Sequence, residues 1–224
     1  PEKGRIGYAL LKGYMQAAEG KGCKTFLLDS GDAFSGSAYA QIDHGRSIAA
    51  IMGLMGYHAL TPGNHAFDHN RAENDPLYYS HVLLKTVRQK AADPVFVIAA
   101  NLSRNGEAVP GTQREPEILY DETPKNSDGL RLIVAGVTTP YTARPSLKES
   151  IPGYDFGRVS GADGRDGAAG TAATKQKILD ELAVSLQPYS RPHDIVIVLS
   201  HLGYSDPDGR ISGPDLARVP NVDF

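Results

Sequence analysis

Short apolar runs alternate with longer amphipathic segments along the chain. Five of these runs are continuous and are bounded by Gly, Pro or Asp, a pattern typical of strands buried on both faces of a sheet. The segments between them carry apolar residues at helical spacing. Strands separated by helices of this length predict an α/β fold with a mainly parallel sheet. The predicted strands are 24–29, 58–62, 94–101, 130–137 and 194–200, and the predicted helices are 4–18, 47–57, 77–91 and 171–187.

Two stretches lack this periodicity. Residues 102–128 are polar and rich in Pro, Gly and Glu, and they predict a surface hairpin or loop. Residues 161–170 are rich in Gly, but they follow no predicted strand and lack the Lys and Ser/Thr of a phosphate-binding P-loop. This second stretch therefore predicts a mobile loop and no phosphate cradle.

The bulk properties exclude several classes of protein. A chain of 224 residues can bury the core of one α/β domain. The formal net charge of −3 leaves no basic stripe for a nucleic-acid polymer. Cys23 is the only cysteine, so an intrachain disulfide is impossible and a metal site would use His and Asp. No apolar run approaches the roughly 20 residues of a membrane span, and residues 1–20 lack the apolar centre of a signal peptide.

Both ends of the chain predict that it is part of a longer protein. The first helix begins without the strand that should precede it in an α/β alternation, and residues 219–224 end where a new strand would begin. We therefore expect a fragment.

Polar side chains follow three of the predicted strands. Asp32 comes after the first strand, Asn64 and His65 come after the second, and His201 comes after the last. Ligands of α/β sheets bind at the carboxyl ends of the strands, and carboxylate, amide and imidazole groups bind zinc, manganese or iron(II). Each motif alone also fits a simpler interpretation, since Gly-Asp is often a turn, Asn-His a satisfied polar pair and Ser-His a local cap.

Three motifs together carry a family resemblance. They are DSGDAF at 29–34, GYHALTPGNHAFDH at 56–69 and VLSHLGYSDPDG at 198–209. In this order they resemble the calcineurin-like metallophosphoesterases, and specifically the family of 5′-nucleotidases, UDP-sugar hydrolases and 2′,3′-cyclic-nucleotide phosphodiesterases. AANL and VAGVTTPY, which lie between them, resemble the same family at the matching places.

The resemblance implies a fold and a reaction. The fold is a four-layer α/β/β/α sandwich, and the reaction is hydrolysis of a small-molecule phosphate ester, such as a nucleotide, by water activated between two divalent metal ions, Zn, Mn or similar. Residues 1–224 would form the catalytic domain, with an Asp-x-His motif before Pro1, a Gly-His-x-His motif after Phe224 and a C-terminal substrate-binding domain beyond. The family also implies a periplasmic or extracellular location. The fragment itself is expected to bind metal weakly and to turn over negligibly.

The same resemblance gives the candidate residues their roles. Asp32 matches the carboxylate that bridges the two metals, and Asn64 and His201 match ligands of the second metal. His65 matches a catalytic residue that faces the scissile phosphate without binding metal. A shared anionic oxygen is expected because it relieves the repulsion between two cations about 3.5–4 Å apart.

Two glycines are expected to shape this site. Gly31 would let the backbone pass close to the ions. Gly63 would supply the positive φ that lets Asn64 and His65 project from one turn.

One position departs from the family pattern, and it leaves alternatives open. Ala66 stands where the family commonly has Glu after Asn-His, which leaves the expected ligands intact but removes a supporting group. Asp68 and His69 are candidates for supporting roles, although a surface position is favoured for His69, and Asp29 is interpreted as a hydrogen-bond acceptor at a strand end. The alternative functions are a cyclic-nucleotide or UDP-sugar phosphodiesterase, a sulfur-ester hydrolase on the same metal site, and a catalytically inactive binding domain.

Overall fold

The computed structural model describes residues 7–123, 129–141, 151–159, 168–205 and 208–224. Most of the Gly-rich stretch 161–170 lies outside these ranges, so the prediction of a loop there stays a prediction. The secondary-structure elements in chain order are α1 (Tyr8–Glu19), β1 (Leu28–Asp29), α2 (Ala38–Ile42), α3 (Arg46–Met55), β2 (Ala59–Leu60), a π-helical segment (Tyr79–Leu84) that continues into α4 (Lys85–Lys90), β3 (Phe96–Val97), β4 (Ser103–Arg104), β5 (Glu117–Asp121), β6 (Arg131–Val137), β7 (Tyr154–Asp155), α5 (Ala168–Leu186), β8 (Asp194–Ser200) and α6 (Gly213–Leu216).

The strands form two main sheets and one short ribbon. In the first sheet β1, β2 and β3 lie side by side and are parallel. In the second sheet β6 lies between β5 and β8, antiparallel to β5 and parallel to β8. β4 and β7 pair separately as an antiparallel ribbon.

All five predicted strands exist, and so do the four predicted helices over the described residues. The first three strands are shorter than predicted, with two residues each, because regular pairing ends where their loops diverge. Residues 102–128 contain β5, which pairs antiparallel with the following strand β6, so a hairpin is present there, although β5 is half-buried at the edge of the second sheet. Periodicity does not identify β5 because its apolar run, residues 118–120, is shorter than the four to eight residues that indicate a strand.

The side chains of the second sheet alternate between two apolar clusters. In β6, Ile133 and Ala135 pack with Ile178 and Leu182 of α5. Val134 faces the other way and packs with Ala59 and Ile98, which come from the first sheet or directly follow it. This alternation follows from the period of two along a strand. The two sheets therefore pack face to face, with α5 outside the second.

Helices also cover the outer face of the first sheet. Met52 of α3 and Leu83 of the π-helical segment belong to one buried cluster with Leu60 and Val97 of the sheet. The order of layers is helix, sheet, sheet, helix, which confirms the predicted four-layer α/β/β/α sandwich. The carboxyl ends of β1, β2 and β8 lie at one edge of this sandwich, and their loops meet there.

Candidate functional site

Three of the predicted residues meet at this edge. His201 directly follows β8, and its Nε2 lies 3.0 Å from Oδ2 of Asp32 and 3.1 Å from Oδ1 of Asn64. The two sheets thus contribute side chains to one cluster, because Asp32 and Asn64 follow strands of the first sheet and His201 follows a strand of the second. The convergence expected from the sequence is present. The assignment of these residues as metal ligands stays a prediction.

The backbone holds His201 in one orientation. Its backbone N–H donates to the carbonyl of Val137 at 2.9 Å, which continues the β6–β8 ladder by one residue. Its Nδ1 lies 2.7 Å from the carbonyl oxygen of Ser30. A carbonyl can only accept, so Nδ1 carries the hydrogen. Nε2 faces the oxygens of Asp32 and Asn64. In the protonated ring Nε2 also carries a hydrogen and donates it to Asp32, and in the neutral ring its lone pair faces these oxygens.

The carboxylate of Asp32 is shared between two contacts. One oxygen accepts the backbone N–H of His65 at 2.8 Å, and the other faces His201 at 3.0 Å. Burial opposes ionisation of Asp32, but the hydrogen bonds from His201 and from the His65 N–H outweigh it and hold the pKa of the carboxyl below its ordinary value. The hydrogen bond to Asp32 in turn raises the pKa of His201. The cluster therefore contains an anion at neutral pH.

The glycines are required by close approach. Gly63 does not have the positive φ that the sequence predicted. A Cβ at Gly63 would lie 2.0 Å from Oδ1 of Asp32, so any side chain would collide with the carboxylate. The left-handed residues are Gly31, with φ of 105°, and Asp32 itself, with φ of 66°. The local sequence could not show whether Gly63 is needed for a positive φ or for space, because the residue that it would collide with belongs to another loop.

His65 does not join the cluster through its side chain. Its Nδ1 lies 2.6 Å from Oδ2 of Asp68, and the side chain remains 45% exposed. Asp68 therefore supports His65, which is the role considered for it from the sequence. The ring nitrogen left over, Nε2, is the atom that could act on a ligand. That His65 faces the scissile phosphate stays a prediction.

The surface position favoured for His69 is wrong. Its side chain is buried, with 5% exposed, and its ring stacks on that of His44 at 5.1 Å between centroids. Burial lowers the pKa of the His69 ring, and a hydrogen bond to the backbone of Phe34 partly opposes this effect. The neighbouring Ala66 is also buried and belongs to the apolar cluster under the first sheet.

A cleft of about 420 Å³ opens over the cluster. Within the described ranges no group of three or more His, Cys, Asp and Glu side chains is placed to hold a metal ion. The cluster has only two side chains of these types, Asp32 and His201, and its third member is the amide of Asn64. Sequence reasoning missed the Ser30 carbonyl and Thr139, because neither a backbone atom nor an isolated Thr gives a signal. The residues that line the cleft are Ser30, Gly31, Asn64, Thr139, Ser200, His201, Leu202 and Gly203.

Comparison with known proteins gives relatives of one kind. No family model matches the chain. A 5′-nucleotidase of Vibrio cholerae serotype O1 is 27% identical over 186 residues, which make up 83% of this chain and 27% of that protein. The structure of the calcineurin-like phosphoesterase YfkN from Bacillus subtilis matches with a TM-score of 0.58 at 19% identity, over 100% of this chain and 63% of that one. The chain is a homologue of the 5′-nucleotidases with the calcineurin-like phosphoesterase fold.

The homology covers only part of each relative. This 5′-nucleotidase homologue spans 27% of the Vibrio protein and 9% of the trifunctional nucleotide phosphoesterase protein YfkN of Bacillus subtilis, to which it is 31% identical over 54% of its own length. A sulfate thiohydrolase SoxB from Thermus thermophilus shares the fold, with a TM-score of 0.59 at 18% identity over 96% of this chain and 32% of that one.

Among the described residues, no helix is long and apolar enough to cross a membrane.

Proposed function

We propose that this chain carries part of the active site of a metal-dependent phosphoester hydrolase of the 5′-nucleotidase type. The observation that supports it best is that Nε2 of His201 lies 3.0 Å from Oδ2 of Asp32 and 3.1 Å from Oδ1 of Asn64. These residues come from loops of two different sheets and meet at the edge where α/β folds bind ligands. Homology to 5′-nucleotidases supplies the reaction class and, as part of the proposal, a nucleotide as the substrate.

The donor set fits a divalent cation. Asp32 offers a carboxylate oxygen, Asn64 an amide oxygen and His201 a ring nitrogen, a combination suited to Zn²⁺ or Mn²⁺. His201 also has the second contact that is usual for metal-binding histidines, because its Nδ1 faces a backbone carbonyl at 2.7 Å. Asp32, Asn64 and His201 would hold the metal ions, with Asp32 supplying the anionic ligand. When bound, such cations supply Lewis-acid stabilisation to a phosphoryl oxygen.

His65 and Asp68 supply a proton-handling pair beside this cluster. Asp68 accepts the hydrogen at Nδ1 of His65, which leaves Nε2 as the position where a proton could be held or moved. The backbone N–H of His65 is tied to Asp32, so the imidazole is fixed relative to the cluster. In the proposed reaction His65 stabilises charge on the phosphate oxygens and donates a proton to the leaving oxygen.

Two further parts of the proposal concern the whole protein. The nucleotide base would be bound by a C-terminal domain beyond this chain, and the protein would act in the periplasm or outside the cell. Both parts rest on the family resemblance.

Metal dependence and substrate class can be tested together. The full-length protein, stripped of metal, should hydrolyse nucleoside monophosphates only after addition of Zn²⁺ or Mn²⁺. A panel with UDP-sugars, 2′,3′-cyclic nucleotides, thiosulfate esters and an aryl phosphate ranks the alternatives. Hydrolysis that is equally fast in the presence of a chelator would contradict the proposal, and the absence of any hydrolysis despite bound metal would favour an inactive binding domain.

Two variants separate ligand from catalyst. His65→Asn should lower kcat by about 10²- to 10⁴-fold while the metal content stays unchanged. His201→Asn should lower the metal content as well. The loss in the His65 variant should be smaller for aryl than for alkyl phosphates if His65 donates a proton, because a good leaving group needs no acid. Equal metal loss in the two variants would make His65 a ligand.

A further inference from the structure

We infer that Asp29 is a positioning residue for the proposed metal site, because its carboxylate shapes the turn 29–32 that contacts both ring nitrogens of His201. The metal-binding part of this inference rests on the proposed function, whereas the contacts of the turn with His201 do not depend on it. Ser30 of this turn contributes the carbonyl that faces Nδ1, and Asp32 contributes the carboxylate that faces Nε2.

Asp29 fixes the turn at two points. Its backbone carbonyl accepts the N–H of Thr61 at 2.9 Å, which ties the end of β1 to the segment that follows β2. Its side-chain Oδ1 accepts the N–H of Gly31 at 2.8 Å. This bond to a residue two positions along bends the chain back and mimics a backbone turn. The carbonyl of Ser30, between the two bonded residues, then points toward His201.

The turn needs such support because it contains two consecutive left-handed residues. Gly31 has φ of 105° and Asp32 has φ of 66°. The second is uncommon for a residue with a side chain, although Asp adopts it more readily than most residues do. The space is also tight, since a Cβ at Gly31 would lie 2.6 Å from the backbone N of Gly63 and 2.7 Å from Nδ1 of His201. A small rotation of the turn would therefore displace both contacts of His201.

The chain contains a matched control for this turn. Asp155 ends β7, and its Oδ1 accepts the N–H of Gly157 at 2.9 Å, where Gly157 has φ of 76°. This turn has the same Asp-x-Gly spacing and the same bond, but its middle residue is the buried Phe156 of the apolar core. Loss of the bond at Asp155 should cost stability without reaching the cluster.

The decisive measurement is metal affinity in the full-length protein. Asp29→Ala should weaken the binding of Zn²⁺ or Mn²⁺, titrated into the metal-free protein, by about 10- to 100-fold. Asp29→Asn, which keeps the accepting oxygen, should bind close to the unmodified protein, and so should Asp155→Ala. Equal weakening in the Asp29→Ala and Asp155→Ala variants, or none in either, would overturn the inference.

A second readout does not require metal. The ¹⁵N NMR signals of His201 in the metal-free protein report which ring nitrogen carries the hydrogen. They should change in Asp29→Ala and stay unchanged in Asp29→Asn, and an unchanged spectrum in both would contradict a positioning role. If Asp29→Ala does not fold, Asp29→Glu keeps the charge but carries the oxygens past the Gly31 N–H, and it should show the same loss. If the unmodified protein binds no divalent cation, the proposed function fails, and the NMR comparison still decides the role of Asp29.

Discussion

The two ends of strand β8 carry different arrangements of charged and polar side chains. At its start, Asp194 meets Arg131 of β6 through two contacts, of 2.7 Å and 2.5 Å. The exposed fractions of these side chains are 3% and 8%. At its other end, His201 brings its Nε2 to the carboxylate of Asp32 and the amide oxygen of Asn64. The first end pairs an anion with a permanent cation, and the second places a carboxylate and an amide oxygen around a histidine nitrogen that can gain or lose its hydrogen.

The difference separates a structural ion pair from the proposed binding site. Burial opposes ionisation of Asp194, but the hydrogen bonds from Arg131 outweigh it and lower the pKa of the carboxyl, while the same bonds raise the pKa of Arg131. That end is complete within the chain. The cluster at the other end has a carboxylate and an amide oxygen around one histidine nitrogen, and in the proposed function a divalent cation completes it. Four changes test this comparison, in order of decreasing effect.

Asp194→Asn should lower the free energy of unfolding by about 3–5 kcal/mol. The reason is that the buried Arg131 would keep its charge and lose the carboxylate that it hydrogen-bonds, with only the exposed Asp121 left as a nearby counter-charge. Urea denaturation monitored by circular dichroism measures the change. Metal affinity should stay the same, because this end of the sheet lies far from the cluster along β8. A loss below about 1 kcal/mol would mean that the pair is solvated and contributes as little as a surface ion pair.

Gly63→Ala should destabilise the protein by about 1–3 kcal/mol, the usual range for forcing an extra group into a packed region. The new Cβ would meet Oδ1 and the backbone N of Asp32 at 2.0 Å and 2.7 Å, and the backbone cannot move without displacing the turn. Gly203→Ala is a control at the same cleft, since its new Cβ would lie an ordinary 3.5 Å from the carbonyl oxygen of Ser205. Equal stability of the two variants would show that Asp32 can rotate away freely.

Asp32→Asn should change the stability of the metal-free protein by no more than about 1 kcal/mol, because the Asp32–His201 pair is partly exposed. The same change should abolish the rise in Tm that Zn²⁺ or Mn²⁺ gives the unmodified protein, since a cation that binds only the folded state stabilises it. Thermal unfolding with and without metal measures both effects. An Asp→Asn change thus acts on stability at one end of β8 and on binding at the other. An unchanged metal-induced rise in Tm would remove Asp32 from the site.

Mild acid tests the buried His69, which follows Asn64 and His65 in the chain. Burial lowers the pKa of His69 below its ordinary value of 6.5, so the unfolded chain binds more protons at this residue, and its contribution to stability falls as pH drops below about 6.5. The Arg131–Asp194 pair does not titrate there. His69→Gln should reduce the slope of unfolding free energy against pH between 5 and 7, while variation of the exposed His81 serves as the control. His58, whose pKa burial lowers, and His201, whose pKa the hydrogen bond to Asp32 raises, contribute to the slope with opposite signs and are unchanged in this variant. An unaltered slope in His69→Gln would show that its protonation is not coupled to unfolding.

The sequence predicted the larger elements because their signal is local. Strands β6 and β8 lie inside the predicted runs 130–137 and 194–200, since strands covered on both faces must be apolar throughout. Periodicity could not find β5, whose pairing with β6 was needed to define it. It could not place His69 either, because the burial of one polar residue in a loop depends on which neighbours pack over it.

By itself, the sequence determined the α/β alternation and the position of Asp32, Asn64 and His201 at the ends of strands, because hydrophobic period and turn residues are properties of neighbours along the chain. Only the tertiary structure decided that the Ser30 carbonyl holds His201, a contact between residues 171 positions apart, and that Gly63 is required by the Asp32 side chain. Such contacts arise where the two sheets pack against each other. Their distances depend on the packing of many side chains, which no local pattern records.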